Sequence, residues 1–117
     1  MFIETYQSMS TRTLDKSLEF EEQVLNMALG IGGESGEVID IIKKNIFHKT
    51  KLDKDHLTEE LGDVLFYLVN LATLYDIDMH DVMVENYFKL KKRYPNGFTP
   101  EASIKREDKN GFKTVSD

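Results

Sequence analysis

The sequence predicts an all-α protein: a four-helix core of packed helices, assembled into a homo-oligomer. Three observations lead there. Apolar residues recur at helical spacing along most of the chain, and no stretch alternates as a strand would. Cap and turn residues divide the pattern into four segments. The third of these, Val64-Leu-Phe-Tyr-Leu-Val-Asn-Leu-Ala-Thr-Leu74, is apolar on nearly every side, the pattern of a helix buried all round. A monomer this small would struggle to cover it, so subunits are expected to wrap it between them.

The first predicted helix is short, about residues 3–11, and the polar run from Ser10 to Asp15 ends it. A second begins near Leu18, carries Val24, Leu25, Ala28 and Leu29 at core spacing, and resumes through Val38, Ile39, Ile42 and Ile46. Gly30, Gly32, Gly33 and Gly36 lie between those halves. Each glycine inside a helix costs ~1 kcal/mol relative to alanine. The cluster therefore predicts a break or kink, or a place where another backbone or a ligand comes close. It has neither the spacing nor the preceding strand of a dinucleotide fingerprint, and no Walker ending.

Residues 47–54 read as a polar, basic loop, with Asp53 or Asp55 available to cap a third helix over about 56–75. A fourth is expected from near Asp78 to about Tyr94, stopped by Pro95 and Asn96-Gly97. The domain is thus placed at 1–98, followed by a polar C-terminal tail, 99–117, expected to drape over the surface or remain disordered.

Composition narrows the function. The chain has 117 residues, a net charge of −6 and no cysteine, which removes thiolate metal sites and disulfides. The acidic balance disfavours a nucleic-acid partner, since phosphate contacts need a basic surface. No apolar run is long enough to span a membrane. The residues Met1-Phe2-Ile3-Glu4 lack the pattern of a signal peptide, so a cytoplasmic location is expected.

The strongest chemical signal is a pair of acidic pairs, Glu34-Ser-Gly-Glu37 and Glu60-Leu-Gly-Asp63, separated by 22 residues. Residues at i and i+3 share a helix face. On antiparallel neighbours the four carboxylates would converge. Like charges ~4 Å apart repel by about 4 kcal/mol at an effective dielectric of 20. A single such pair is usually a solvated helix face. Here each pair runs into an apolar stretch, and the stripe of Glu60 and Asp63 continues to Tyr67 and Asn70. Carboxylates entering a core face need a cation, and an all-oxygen set suits magnesium or manganese better than zinc. Redox iron is disfavoured, because neither Glu34 nor Glu60 is followed by histidine at i+3. Asp53-x-x-His56 has that spacing, but at a helix start, where capping is the expected use.

These residues resemble the MazG-type all-α nucleoside triphosphate pyrophosphohydrolases. The likeness lies in Gly-Glu34-Ser-Gly-Glu37-Val, then Glu-Glu60-Leu-Gly-Asp63-Val-Leu-Phe-Tyr-Leu, then Asn86-Tyr-Phe-Lys89-Leu-Lys-Lys-Arg93-Tyr94-Pro95, and spans about residues 3–98. The resemblance implies metal-dependent hydrolysis of canonical or aberrant (d)NTPs to the monophosphate and pyrophosphate, with clearance of unwanted nucleotides as the role. It assigns Glu34, Glu37, Glu60 and Asp63 to Mg²⁺, with Mn²⁺ as a substitute, while the all-round apolar third helix points to a homodimer or homotetramer. One of the four can serve as general base. On this likeness Lys89 and Arg93, four apart on one face, are candidates to clamp phosphates, with Asn86 one turn earlier as a further substrate contact. The competing reading of that basic run is a solvated helix end that meets the dipole favourably.

Several other residues are read as structural. Asp40 is expected to pair with Lys44 at i+4, and Glu59 to be a surface acid. His56 and His80 are taken as cap-region residues, and Lys43, His48 and Lys49 as part of a solvated loop. Met9, Met27, Met79 and Met83 read as packing residues. Two other functions stay open: phosphoribosyl-ATP pyrophosphohydrolase, a related reaction, and a non-catalytic oligomeric scaffold with a structural metal.

Overall fold

The computed structural model describes residues 1–109. Among them are five α-helices and no strand: α1 (Ile3–Ser10), α2 (Phe20–Phe47), α3 (Lys54–Leu74), α4 (Met79–Arg93) and α5 (Pro100–Lys105), with a 3-10 turn at Thr11–Thr13 after α1. They fall into two compact units, Met1–Met79 and a second that starts at His80.

In the first unit α2 and α3 form the main contact, and α1 packs on α3. A capping box opens α2, in which Glu19 and Glu22 each accept from the other's backbone N–H. The helix then runs unbroken for 28 residues, straight through the glycine cluster. The expected break is absent because the apolar spacing on either side is continuous and α3 supports its length. Packing against a neighbour outweighs helix propensity. Only Gly30 serves a close approach. A Cβ there would collide with the ring of Tyr67, whereas one on Gly32, Gly33 or Gly36 would meet nothing.

The α2–α3 connection is short and tied at both ends. Lys49 takes a left-handed conformation at φ 58°, and Asn45 Nδ2 donates to the Thr50 carbonyl at 2.9 Å. Asp53 caps α3, its Oδ1 accepting from the backbone N–H groups of Asp55 and His56 at 3.1 Å each. At the other end of α3, Ile77 N–H returns to the Ala72 carbonyl at 2.8 Å across a left-handed Asp76. Gln7 of α1 closes this corner. Its amide donates to Thr73 Oγ1 and the Ile77 carbonyl, and its carbonyl accepts from Met79 N–H.

The core is small. Val69, Ala72 and Met79 are buried together with Ile3 and Tyr6 packed on them, and Met27 is buried on α2. Asn70 is fully buried in the all-apolar stretch of α3, its Nδ2 donating to the Phe66 carbonyl at 2.9 Å and its Oδ1 without a partner. Much of the apolar surface expected to be covered lies open. Leu25, Leu29, Ile39 and Ile46 of α2 and Leu61, Leu65 and Leu68 of α3 are all exposed.

In the second unit, part of the stretch expected to drape over the surface or remain disordered from residue 99 is helical. Thr99 caps α5 by accepting from Ala102 N–H at 3.0 Å, with Pro100 in the first turn. Arg106 at φ 53° ends it, and Asp108 beyond is 2% exposed. The Thr-Pro-Glu start was a readable helix signal that the surrounding polarity obscured. The rest of the expected tail, 110–117, lies outside the described residues.

Candidate metal centre

The carboxylates sit where the α2–α3 pairing brings them. Gly30 faces Tyr67, and Glu34 meets Glu60 and Asp63, so numbers rise on one helix as they fall on the other. The helices are antiparallel. One carboxylate oxygen from each of Glu34, Glu60 and Asp63 lies within 4.8 Å of the others. Glu34 and Glu60 are half-buried, and Asp63 is exposed. Glu37, one turn along α2, stands outside this trio but adds its charge to the field at Glu34.

The electrostatics match the crowding. A side-chain hydrogen bond to Glu60 comes first, then burial, then the charges of Glu60, Asp63 and Glu37, and together they push the Glu34 carboxyl up to about 7. Glu60 Oε2 is sealed from solvent and has no hydrogen-bond partner. A buried, unpartnered carboxylate oxygen is costly, and an anionic cluster of oxygens alone is what a hard divalent cation satisfies. The residues present fit such an ion. Exposed acids cluster elsewhere in proteins without one, but here an orphaned oxygen and a strongly raised carboxyl coincide.

Around the trio, Asp40 pairs with Lys44 at 2.8 Å, as the i+4 spacing predicts, which leaves Asp40 engaged away from the cluster. Glu59 is exposed. His56 has a second use beyond its capped backbone, since its Nε2 lies 3.3 Å from Glu60 Oε1. The i+4 spacing of His56 and Glu60 carried that signal, but weighing His56 only as a metal ligand or a cap residue missed it.

The basic candidates belong to the second unit. Asn86 and Lys89 are exposed on α4, and Asn86 lines an open apolar groove with Met83, Tyr87, Leu90 and Tyr94. Arg93 is committed differently from expectation. Its Nε and one terminal nitrogen donate to the two oxygens of Asp108 at 2.7 and 2.9 Å. The bidentate fork foreseen for phosphate is occupied by a carboxylate of the same chain.

A family model described as the MazG nucleotide pyrophosphohydrolase domain matches residues 22–98, which takes in both acidic pairs and all of α4. The chain belongs to the MazG nucleotide pyrophosphohydrolase family. Its all-helical architecture agrees with that membership. Among curated proteins it is similar to the "Gene 37 protein" of Mycobacterium phage L5, 35% identical over 75 residues, covering 61% of this chain and 66% of the relative, just short of two thirds of its length. No solved structure matches. Among the described residues no helix is long and apolar enough to cross a membrane.

Proposed function

We propose that this MazG-family protein is a divalent-metal-dependent nucleoside triphosphate pyrophosphohydrolase that releases pyrophosphate and a nucleoside monophosphate. The observation that carries the reading is the convergence of Glu34, Glu60 and Asp63 from two antiparallel helices in a chain of this family. Glu34, Glu37, Glu60 and Asp63 would hold Mg²⁺, or Mn²⁺ in its place. An ion bound there neutralises phosphate oxygens and acidifies a water for attack.

The protein's own groups divide the remaining work. Glu60 offers a desolvated oxygen kept from competing water. Without a cation the neighbouring acids hold the Glu34 carboxyl near 7, and a bound divalent ion would bring it back down as a ligand. Glu37 and Asp63, both exposed, present carboxylates at the solvent edge, where a triphosphate would arrive. Lys89 on α4 is the phosphate contact in this reading, with Asn86 beside it. Arg93 has its Nε and one terminal nitrogen committed to Asp108 and a further hydrogen bond to Tyr94, so it joins only in a secondary way.

Assembly into a homodimer or homotetramer is part of the proposal. Leu25, Leu29, Gly32, Gly36, Ile39 and Ile46 follow one another at three-, four- or seven-residue steps along α2, the leucines and isoleucines exposed and the glycines open. Burying each large side chain against a second copy is worth about 1.5–3 kcal/mol.

The test is a nucleotide panel with Mg²⁺ that separates pyrophosphate from orthophosphate, with phosphoribosyl-ATP included. Pyrophosphate release from a (d)NTP, lost in Glu60→Gln without loss of fold, supports the reading. Preference for phosphoribosyl-ATP moves the protein to histidine synthesis. No pyrophosphate from any nucleotide leaves the metal-holding scaffold.

A further inference from the structure

The geometry points to His56 as a positioning residue for the metal centre: its imidazole Nε2–H holds Glu60 Oε1, which fixes the carboxylate so that Oε2 is left for the cation. This rests on the carboxylate cluster being the metal site proposed above, and assigns a role to a residue outside the family's acidic signature.

The placement begins at the backbone. Asp53 caps the first turn of α3 through the N–H groups of Asp55 and His56, so that turn is anchored where His56 leaves it. Residues at i and i+4 stack on one helix face, and His56 Nε2 stands 3.3 Å from Glu60 Oε1. His56 is not itself in the trio whose ligand atoms gather within 4.8 Å; it stands behind Glu60.

An exposed i+4 pair contributes little by itself. Glu60 makes this one different. Its side chain is 15% exposed against 50% for the imidazole, and its two oxygens are unlike. One lies 3.3 Å from His56 Nε2, while the other is sealed from water with no partner. The terminal torsion of a glutamate is broad and nearly free, so a tether on one oxygen decides where the other lies. Carboxylates that ligate metals are characteristically held from outside by such donors, and losing the donor weakens metal binding by about 10- to 100-fold.

The experiment titrates the nucleotide-free, full-length protein with Mn²⁺, followed by electron paramagnetic resonance of the free ion, for wild type, His56→Ala and His56→Gln. His56→Ala is expected to bind Mn²⁺ about tenfold more weakly or worse. His56→Gln, whose amide can still donate to Glu60, should recover most of the affinity. In turnover, the alanine variant should raise the metal concentration needed for half-maximal rate while kcat at saturating metal stays near wild type. Circular dichroism checks that both variants keep their helix. Equal Mn²⁺ affinity in wild type and His56→Ala overturns the proposal while leaving the metal site standing. So does a folded glutamine variant as weak as the alanine one. A wild type that binds no Mn²⁺ sinks the site itself, and His56's role with it.

Discussion

Glu34 and Glu60 meet across the α2–α3 packing, and their contact is the first cause of a Glu34 carboxyl pushed up to about 7 from an ordinary 4.5. Two packed helices thus hold two carboxyl groups within hydrogen-bonding reach, a pair that turns repulsive once Glu34 loses its proton. A raised carboxyl pKa stabilises the fold below the unfolded value and withdraws that stability as pH rises through the folded one. The metal-free protein should therefore lose stability between pH about 4.5 and about 7. Thermal melts across that window check this. Glu34→Gln should flatten the slope, and added Mn²⁺ should raise Tm more at the alkaline end than at the acid end.

Gly30 of α2 lies against Tyr67 of α3, where a Cβ would overlap the ring. Alanine ordinarily improves a helix by ~1 kcal/mol over glycine. At position 30 the sign should reverse, because overpacking costs about 1–3 kcal/mol. Urea denaturation of Gly30→Ala, and of Gly30→Ala with Tyr67→Leu, separates the two terms: the second substitution should recover most of the loss.

Arg93 and Asp108 form the opposite kind of pair. The Arg93 guanidinium holds the Asp108 carboxyl down to about 2, and Asp108 raises Arg93 in turn. A depressed carboxyl pKa gives stability that is present above its usual 3.8 and is lost as pH falls toward about 2. Asp108→Asn should lower Tm by several degrees near neutrality, and the gap to wild type should close in strong acid.

Lys89 and Arg93 should then separate kinetically. Lys89→Ala is expected to raise nucleotide KM by about tenfold or more, the worth of a charge-assisted contact of about 1.5–3 kcal/mol, without moving Tm. Arg93→Ala should lower Tm as well. Steady-state kinetics beside melting curves distinguishes the two roles.

Leu29 tests the assembly. At 66% exposed it supports little within one chain. Leu29→Lys should leave the helix content unchanged yet shift the protein to a smaller species in light scattering. An unchanged molar mass would place any subunit contact elsewhere.

The helical class, both acidic pairs, the Asp53 cap and the Asp40–Lys44 pair were written in local spacing, and local spacing is what a sequence displays. A three- or four-residue interval fixes a shared face whatever the rest of the chain does. Other features depended on distant partners. The glycine cluster read as a break or a close approach because propensity is local, whereas the α3 surface packed on α2 is not. Which glycine mattered was decided by one ring, Tyr67, 37 positions away in sequence. The polar stretch after Phe98 read as tail because its anchor, Asp108, finds its partner 15 residues back on α4.

What the sequence alone determined is therefore the inventory: which carboxylates exist, on which helical stripes, and with what family likeness. The tertiary structure decided their company. It drew Glu34 to Glu60 and Asp63 while holding Glu37 apart, sealed one oxygen of Glu60, and gave Arg93 to Asp108. Those outcomes follow from the distance between two packed helices and from burial, neither of which a linear spacing encodes.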